Sequence, residues 1–187
     1  MKSAVLDANV LFPASLRDFL LRLAYAKIFV PFWSDKIRDE WTRSLLEKYP
    51  DLKPEKLERT CREMDFSFPK GVICGYDSLI SGLQLPDPDD RHVLAAAIYV
   101  KANYIVTHNL DDFPETALEP YGVKALSPDA FVLRLIKTNQ HPVLRTTKMH
   151  RLSLERPPMT IDEYLTMLER QKLLETAAFL REHKAFL

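Results

Sequence analysis

Two short apolar runs in this chain stop directly on polar and acidic residues, and that pattern limits its possible folds more than any other feature. Ala4-Val5-Leu6 leads straight into Asp7-Ala-Asn9, which places an acid at the carboxyl end of a short buried strand. Tyr104-Ile-Val-Thr107 is a second run of this kind, followed at once by His108-Asn109-Leu-Asp111-Asp112-Phe113-Pro114. Open α/β sheets gather ligands beyond the carboxyl ends of their strands. The segments between fit such a sheet. Leu16, Phe19, Leu20, Leu23 and Ala24 repeat at helical spacing, and Ile28 to Pro31 reads as a second strand ended by proline. Ser34 then caps a helix running to about Leu46, with Ile37, Trp41 and Leu45 inward and Glu40 at the edge of that stripe. Further helices are expected over Leu57–Met64, Val93–Val100 and Ala130–Ile136, and strands at Val72–Cys74 and Val123–Leu126. This alternation predicts a three-layer α/β/α domain with a mostly parallel central sheet over residues 1–136.

The stretch Leu85-Pro-Asp-Pro-Asp-Asp-Arg-His-Val-Leu-Ala-Ala-Ala97 needs its own explanation. Its two prolines hold the approach extended, and its second half is a helix former with an apolar face. Asp89 or Asp90 is placed to accept bonds from the free first-turn amides. One acid suffices for a cap. Asp87, Asp89 and Asp90 together repel one another, which either solvent or a nearby cation must relieve.

Beyond residue 136 the character changes. Residues 137–156 carry Lys137, Arg145, Lys148, Arg151 and Arg156 against the single acid Glu155, with His141 and His150 besides, and read as a basic connector. Thr160-Ile-Asp-Glu163 is a capping box, and Ile161 to Phe179 holds one or two amphipathic helices with Tyr164, Leu165, Met167, Leu168, Leu173, Leu174 and Phe179 as the apolar set. Residues 137–187 are thus expected to form a basic connector and a helical C-terminal extension, packed on the body or on a partner.

Composition narrows the function classes. Four glycines against thirteen prolines, with no Gly-rich phosphate loop, argue against a nucleotide cradle. Cys61 and Cys74 have no zinc spacing and suggest a reducing compartment. Without an apolar leader or a membrane-length apolar window, a cytoplasmic protein with no membrane partner is expected.

Collected, the acids at strand ends and cleft edges are Asp7, Glu40, the group Asp87, Asp89 and Asp90, and the pair Asp111 and Asp112 with Asn109. If the strands at 4–6 and 104–107 are neighbours, these side chains converge. Crowded carboxylates in a shielded pocket need a compensating charge, and hard oxygen ligands suit Mg²⁺ or Mn²⁺. Such ions support phosphodiester hydrolysis without a serine or histidine nucleophile. Taken singly, Asp7 reads equally well as a helix cap, while Glu40 reads more readily as a solvated helix residue, Asp87, Asp89 and Asp90 as an exposed acidic cap, and Asp111 and Asp112 as turn residues before Pro114. Aspartyl-phosphate chemistry fits less well, because the second acid it requires two positions after Asp7 is Asn9 here.

The segments VLDANVL, SDKIRDEWTRSLL, DPDDRHVLAAAI and YIVTHNLDDFP, in this order over roughly residues 1–135, resemble the PIN-domain ribonucleases, particularly the VapC-like toxins of toxin–antitoxin pairs. The resemblance implies endoribonuclease activity dependent on Mg²⁺ or Mn²⁺. It implies that Asp7, Glu40, Asp90 and Asp112 act as catalytic acids and metal ligands, with Asp87, Asp89 and Asp111 as lesser candidates. It further implies that Asn9, Thr107 and Asn109 position substrate or water. A cognate antitoxin and a homodimer are the partners it suggests beside RNA. The alternative is a non-catalytic module of the same fold that binds RNA or protein.

Overall fold

The computed structural model describes residues 1–155 and 157–187; Arg156, counted above in the basic segment, lies outside the described residues. Along the chain run β1 (Ser3–Leu6), α1 (Ala8–Leu11), α2 (Ala14–Tyr25), β2 (Val30–Ser34), α3 (Asp35–Lys48), α4 (Pro54–Ser67), β3 (Val72–Ile73) and α5 (Asp77–Ile80). They are followed by α6 (Arg91–Tyr99), β4 (Tyr104–Val106), α7 (Glu115–Leu118), β5 (Lys124–Leu126), α8 (Pro128–Ser153), α9 (Ile161–Arg170) and α10 (Leu174–Glu182).

The five strands form one parallel sheet in the order β3-β2-β1-β4-β5. Chain direction across the sheet reverses between β1 and β4, where Ala4 pairs with Tyr104 and Leu6 with Val106. A crevice opens there by topology alone. Right-handed crossovers set α2 and α6 on opposite faces; α6 packs over β1, β2 and β4, while α2 packs on β2 and α8. The result is a three-layer α/β/α fold. Trp33, Trp41, Phe19 and Phe131 are fully buried at its centre, so both tryptophans are core.

Pro31 corrects one expectation. It does not end the second strand; it lies inside β2, opposite Ala4. Val30 donates its N–H to Lys2 O on the β1 side, and Trp33 donates to Gly71 O on the β3 side. The missing N–H of Pro31 therefore points toward β3 before β3 begins, where a strand tolerates proline.

The basic connector is also corrected, because residues 137–153 are helix. Helix α8 continues to Ser153 with a break at Asn139 (φ −142°, ψ 44°). Pro142 accounts for the break: it has no N–H for the carbonyl four residues back, at Thr138, and its ring crowds that carbonyl. The second half then lies along α2, burying Val143, Leu144, Thr147 and His150. Each aliphatic side chain buried this way contributes about 2 kcal/mol. The positive charges sit on the opposite side of an otherwise core-facing helix. The capping box at Thr160 forms, and α9 buries Tyr164, Leu165 and Leu168. Leu174, expected in the apolar set, is instead 60% exposed at the start of α10. Cys61 is buried and Cys74 exposed, both as free thiols.

Candidate metal centre

Asp7 follows β1 without an intervening residue, and its backbone N–H still bonds Val106 O of β4 at 3.0 Å. Its carboxylate is therefore pinned at the crevice between the two strands. One oxygen accepts from Ala8 N (2.7 Å); the other accepts from Asn9 Nδ2 (2.7 Å) and from the buried Thr107 hydroxyl (2.7 Å). Asn9 Nδ2 also reaches Thr107 Oγ1, and its Oδ1 accepts from His108 N at 2.9 Å. Thr107 Oγ1 accepts in turn from Asn109 N at 3.0 Å. Residues from the ends of β1 and β4 are thus tied into one polar net, with Asp7 only 4% exposed.

The acidic helix start resolves into separate duties. Asp87 is the capping residue: its side chain accepts from Asp89 N at 2.8 Å and closes the 3-10 turn Pro88–Asp90. Asp89 is exposed. Asp90 occupies the N-cap position of α6 without making a side-chain cap bond, which corrects the expectation that Asp89 or Asp90 does the capping. Released from that duty, Asp90 faces the cleft. Burial pushes its carboxyl up to about 7, and the charges of Asp7, Asp112 and Asp87 push in the same direction, opposed by His92. Asp7 is raised as well, by burial first; the bonds from Thr107 and Ala8 oppose that shift, and Glu40 adds to it.

A cleft of about 350 Å³ is lined by Asp7, Asn9, Glu40, Asp90 and Asn109 together with Ala8, Phe12, Trp41 and Ser44. Asp112, half-buried in the 3-10 turn Leu110–Asp112, stands behind this lining with its charge felt by Asp90. Thr107 lies beneath Asp7. Asp111 is exposed and outside the lining, as is Asp89. Among the described residues no three acidic, imidazole or thiol side chains close up enough to share one cation. Mutual repulsion keeps unneutralised carboxylates apart. The donor chemistry nevertheless fits a hard cation, since the cleft offers carboxylate and amide oxygens and an Asp90 carboxyl lifted first by burial and then by the negative charge of its neighbours.

His92 stands behind one of the cleft acids. It is 1% exposed, with Nε2 2.9 Å from Glu40 Oε1, and its Nδ1 has no partner. A buried imidazole thus holds the acid that α3 projects into the cleft. The only local signal was its place two residues after Asp90, because the contact joins two elements far apart in sequence.

The PIN domain family model matches residues 3–111, more than half of the chain, and the chain belongs to the PIN-domain family. A second family, described as the VapC50 C-terminal domain, matches residues 128–182, which covers α8, α9 and nearly all of α10. The candidate ribonuclease VapC50 of Mycobacterium tuberculosis (strain ATCC 25618 / H37Rv) is 52% identical over 59 residues, 32% of this chain and 34% of that protein. The match therefore spans about a third of that relative's length. No solved structure matches the chain. Among the described residues no helix is long and apolar enough to cross a membrane.

Proposed function

We propose that this chain is a metal-dependent endoribonuclease, the toxin of a bacterial toxin–antitoxin pair acting in the cytoplasm. What supports the reading is that Asp7, Glu40 and Asp90, from three separate segments, line one cleft at the carboxyl edge of the sheet, where Asp90 is pushed up to about 7 by burial and by the charges of Asp7, Asp112 and Asp87. Asp7, Glu40, Asp90 and Asp112 are the residues that would hold Mg²⁺ or Mn²⁺, with Asp87, Asp89 and Asp111 secondary because one is engaged as a cap and the others are exposed. A divalent cation there supplies Lewis-acid polarisation of a phosphodiester oxygen and a water acidic enough to be deprotonated near neutral pH. The chain's own contribution is positional. Thr107 and Asn9 fix the Asp7 carboxylate, His92 braces Glu40, and Asn109 at the cleft lining presents an amide to substrate or water. RNA is the substrate class proposed, with a cognate antitoxin and a second copy of the chain as protein partners. The domain boundary proposed with this reading puts the nuclease unit at 1–136 and the extension at 137–187.

The test is cleavage of single-stranded and structured RNAs with Mg²⁺, with Mn²⁺ and with EDTA, using wild type, Asp7→Asn and Asp90→Asn. Each variant is expected to lose activity by on the order of 10²-fold or more while remaining folded. Wild-type rates in either variant, or cleavage that persists in EDTA, sink the reading. Metal-independent RNA binding without products would favour the non-catalytic alternative.

A further inference from the structure

Helix α3 reaches the cleft with one of its faces, and that face does not end on acids. Glu40, Ser44 and Lys48 follow one another at intervals of four residues, which stacks them along one side of the helix. Glu40 and Ser44 line the cleft. Lys48 comes one turn later, about 12 Å from Glu40 along the axis at a rise of about 1.5 Å per residue.

Two aromatic rings hold the Lys48 ammonium at this place. Its Nζ lies 5.2 Å from the centre of the Phe12 ring and 5.7 Å from that of the Tyr49 ring. Phe12 is itself part of the cleft wall, and Tyr49, half exposed, is the residue that ends α3. The rings attract the ammonium and narrow the range of positions that a long, flexible stem would otherwise allow. Among the described residues no carboxylate lies within ion-pair distance of Lys48, so its charge stands uncompensated at the rim of an acidic cleft. The other cation on this wall is engaged by the fold. Arg17 sits 4.5 Å over the Trp41 ring, but it is buried and donates to the carbonyls of Leu11 and Phe12, which fastens α1 beside α3. Arg17 thus steadies the backbone that carries Phe12, and the exposed Lys48 is the cation left open to a ligand.

Carboxylates walling a cleft repel a polyanion unless positive charge lies beside them. We infer that Lys48, held between Phe12 and Tyr49, forms a phosphate-binding subsite for the RNA strand on the α3 side of the acid cleft. This rests on the proposed function, which places RNA at that cleft.

Lys48→Met keeps the aliphatic stem against the rings and removes the charge alone. Lys124→Met is the comparison, since Lys124 is exposed at the start of β5, on the opposite edge of the sheet. Binding of a short fluorescent single-stranded RNA of mixed sequence to the full chain is followed in EDTA over a salt series. Lys48→Met is expected to bind about fivefold more weakly and to lower the salt slope by about 0.7, the share of one phosphate contact. Lys48→Arg keeps the wild-type slope, and Lys124→Met matches wild type in both respects. A cation in the last turn of α3 also suits the helix dipole, but loss of that role alone lowers the melting midpoint and leaves the salt slope untouched. An unchanged slope in Lys48→Met, or the same fall in Lys124→Met, overturns the inference. Because binding is read without metal, a wild type that binds RNA yet cleaves none with Mg²⁺ or Mn²⁺ defeats the nuclease reading and leaves the subsite standing. A wild-type slope in Lys48→Met, in an enzyme that does cleave, defeats the subsite alone, and a wild type with no measurable affinity for RNA defeats both.

Discussion

Asp90 and Asp18 are both half-exposed acids near a buried histidine, yet their surroundings drive them in opposite directions. At Asp90, burial and three neighbouring acids raise the carboxyl to about 7. At Asp18 on α2, burial also pushes upward, but His150 and then Arg22 outweigh it and hold the carboxyl below the ordinary range. His150 is fully buried, with Nε2 3.2 Å from Asp18 Oδ2, Nδ1 2.9 Å from the Tyr164 hydroxyl, and its ring stacked on Phe19. Burial in turn drives the Tyr164 phenol well above its usual value, so that hydroxyl stays protonated. One cluster is compensated within the protein and joins α2 to the extension. The other is left in deficit, as the proposed metal centre requires.

The comparison breaks most easily at the compensated cluster. His150→Ala removes a buried ring, its stacking and its bond to Tyr164, and should cost about 2–4 kcal/mol. In thermal unfolding this is on the order of 8 °C for a chain of this size. RNA cleavage by the folded fraction should be unchanged, and a loss of activity without loss of stability would refute the division of labour between the clusters.

At the deficit cluster the histidine has the opposite duty. His92→Ala leaves Glu40 unbraced, and the affinity for Mn²⁺ measured by calorimetry should fall about tenfold, as for other residues that orient a ligand. An unchanged affinity would remove His92 from the site.

Asp90 also predicts the sign of a pH effect. Its folded value of about 7 lies above the ordinary 3.8, so the folded state holds a proton that the unfolded chain has released. The associated stability is fully present below pH 4 and is lost as pH rises through 7. Metal-free protein should therefore gain from Asp90→Asn at pH 8, by on the order of 3 °C in midpoint, and gain little at pH 4. Added Mg²⁺ should erase the difference for wild type. A variant that melts lower than wild type at pH 8 in EDTA would show that Asp90 is not in charge deficit. The smallest effect lies at Asp18, whose depressed value gives stability that is lost as pH falls, but with 45% of its side chain exposed, screening keeps this contribution slight.

Much of the sheet could be read directly because its strands end on the residues that matter. Asp7 and Thr107 stand one residue beyond β1 and β4, so periodicity located the strands and the acid at the end of the first, while the roles of Asn9 and Thr107 came from the family resemblance. Asp90 was legible as an acid too many at a helix start. Which acid did the capping was not, since Asp87 and Asp90 differ by the geometry of a single 3-10 turn. Pro31 misled because a strand's two edges look alike in sequence while only one of them lacks a partner at that point. The basic segment misled because its charges obscured the apolar positions Val143, Leu144 and Thr147 on the other side of the helix.

By itself the sequence determined the local and periodic features: the strand and helix alternation, the caps at Ser34 and Thr160, and the supply of acids. These depend on residues within a turn or two of each other, where propensity and hydrogen bonding act. Tertiary structure alone decided that β1 lies beside β4, that His92 meets Glu40, that His150 meets Asp18, and that Asp129 of α8 caps α10. Each of these contacts closes a long loop, and its partner is chosen by packing and desolvation over the whole core rather than by any neighbour in the chain.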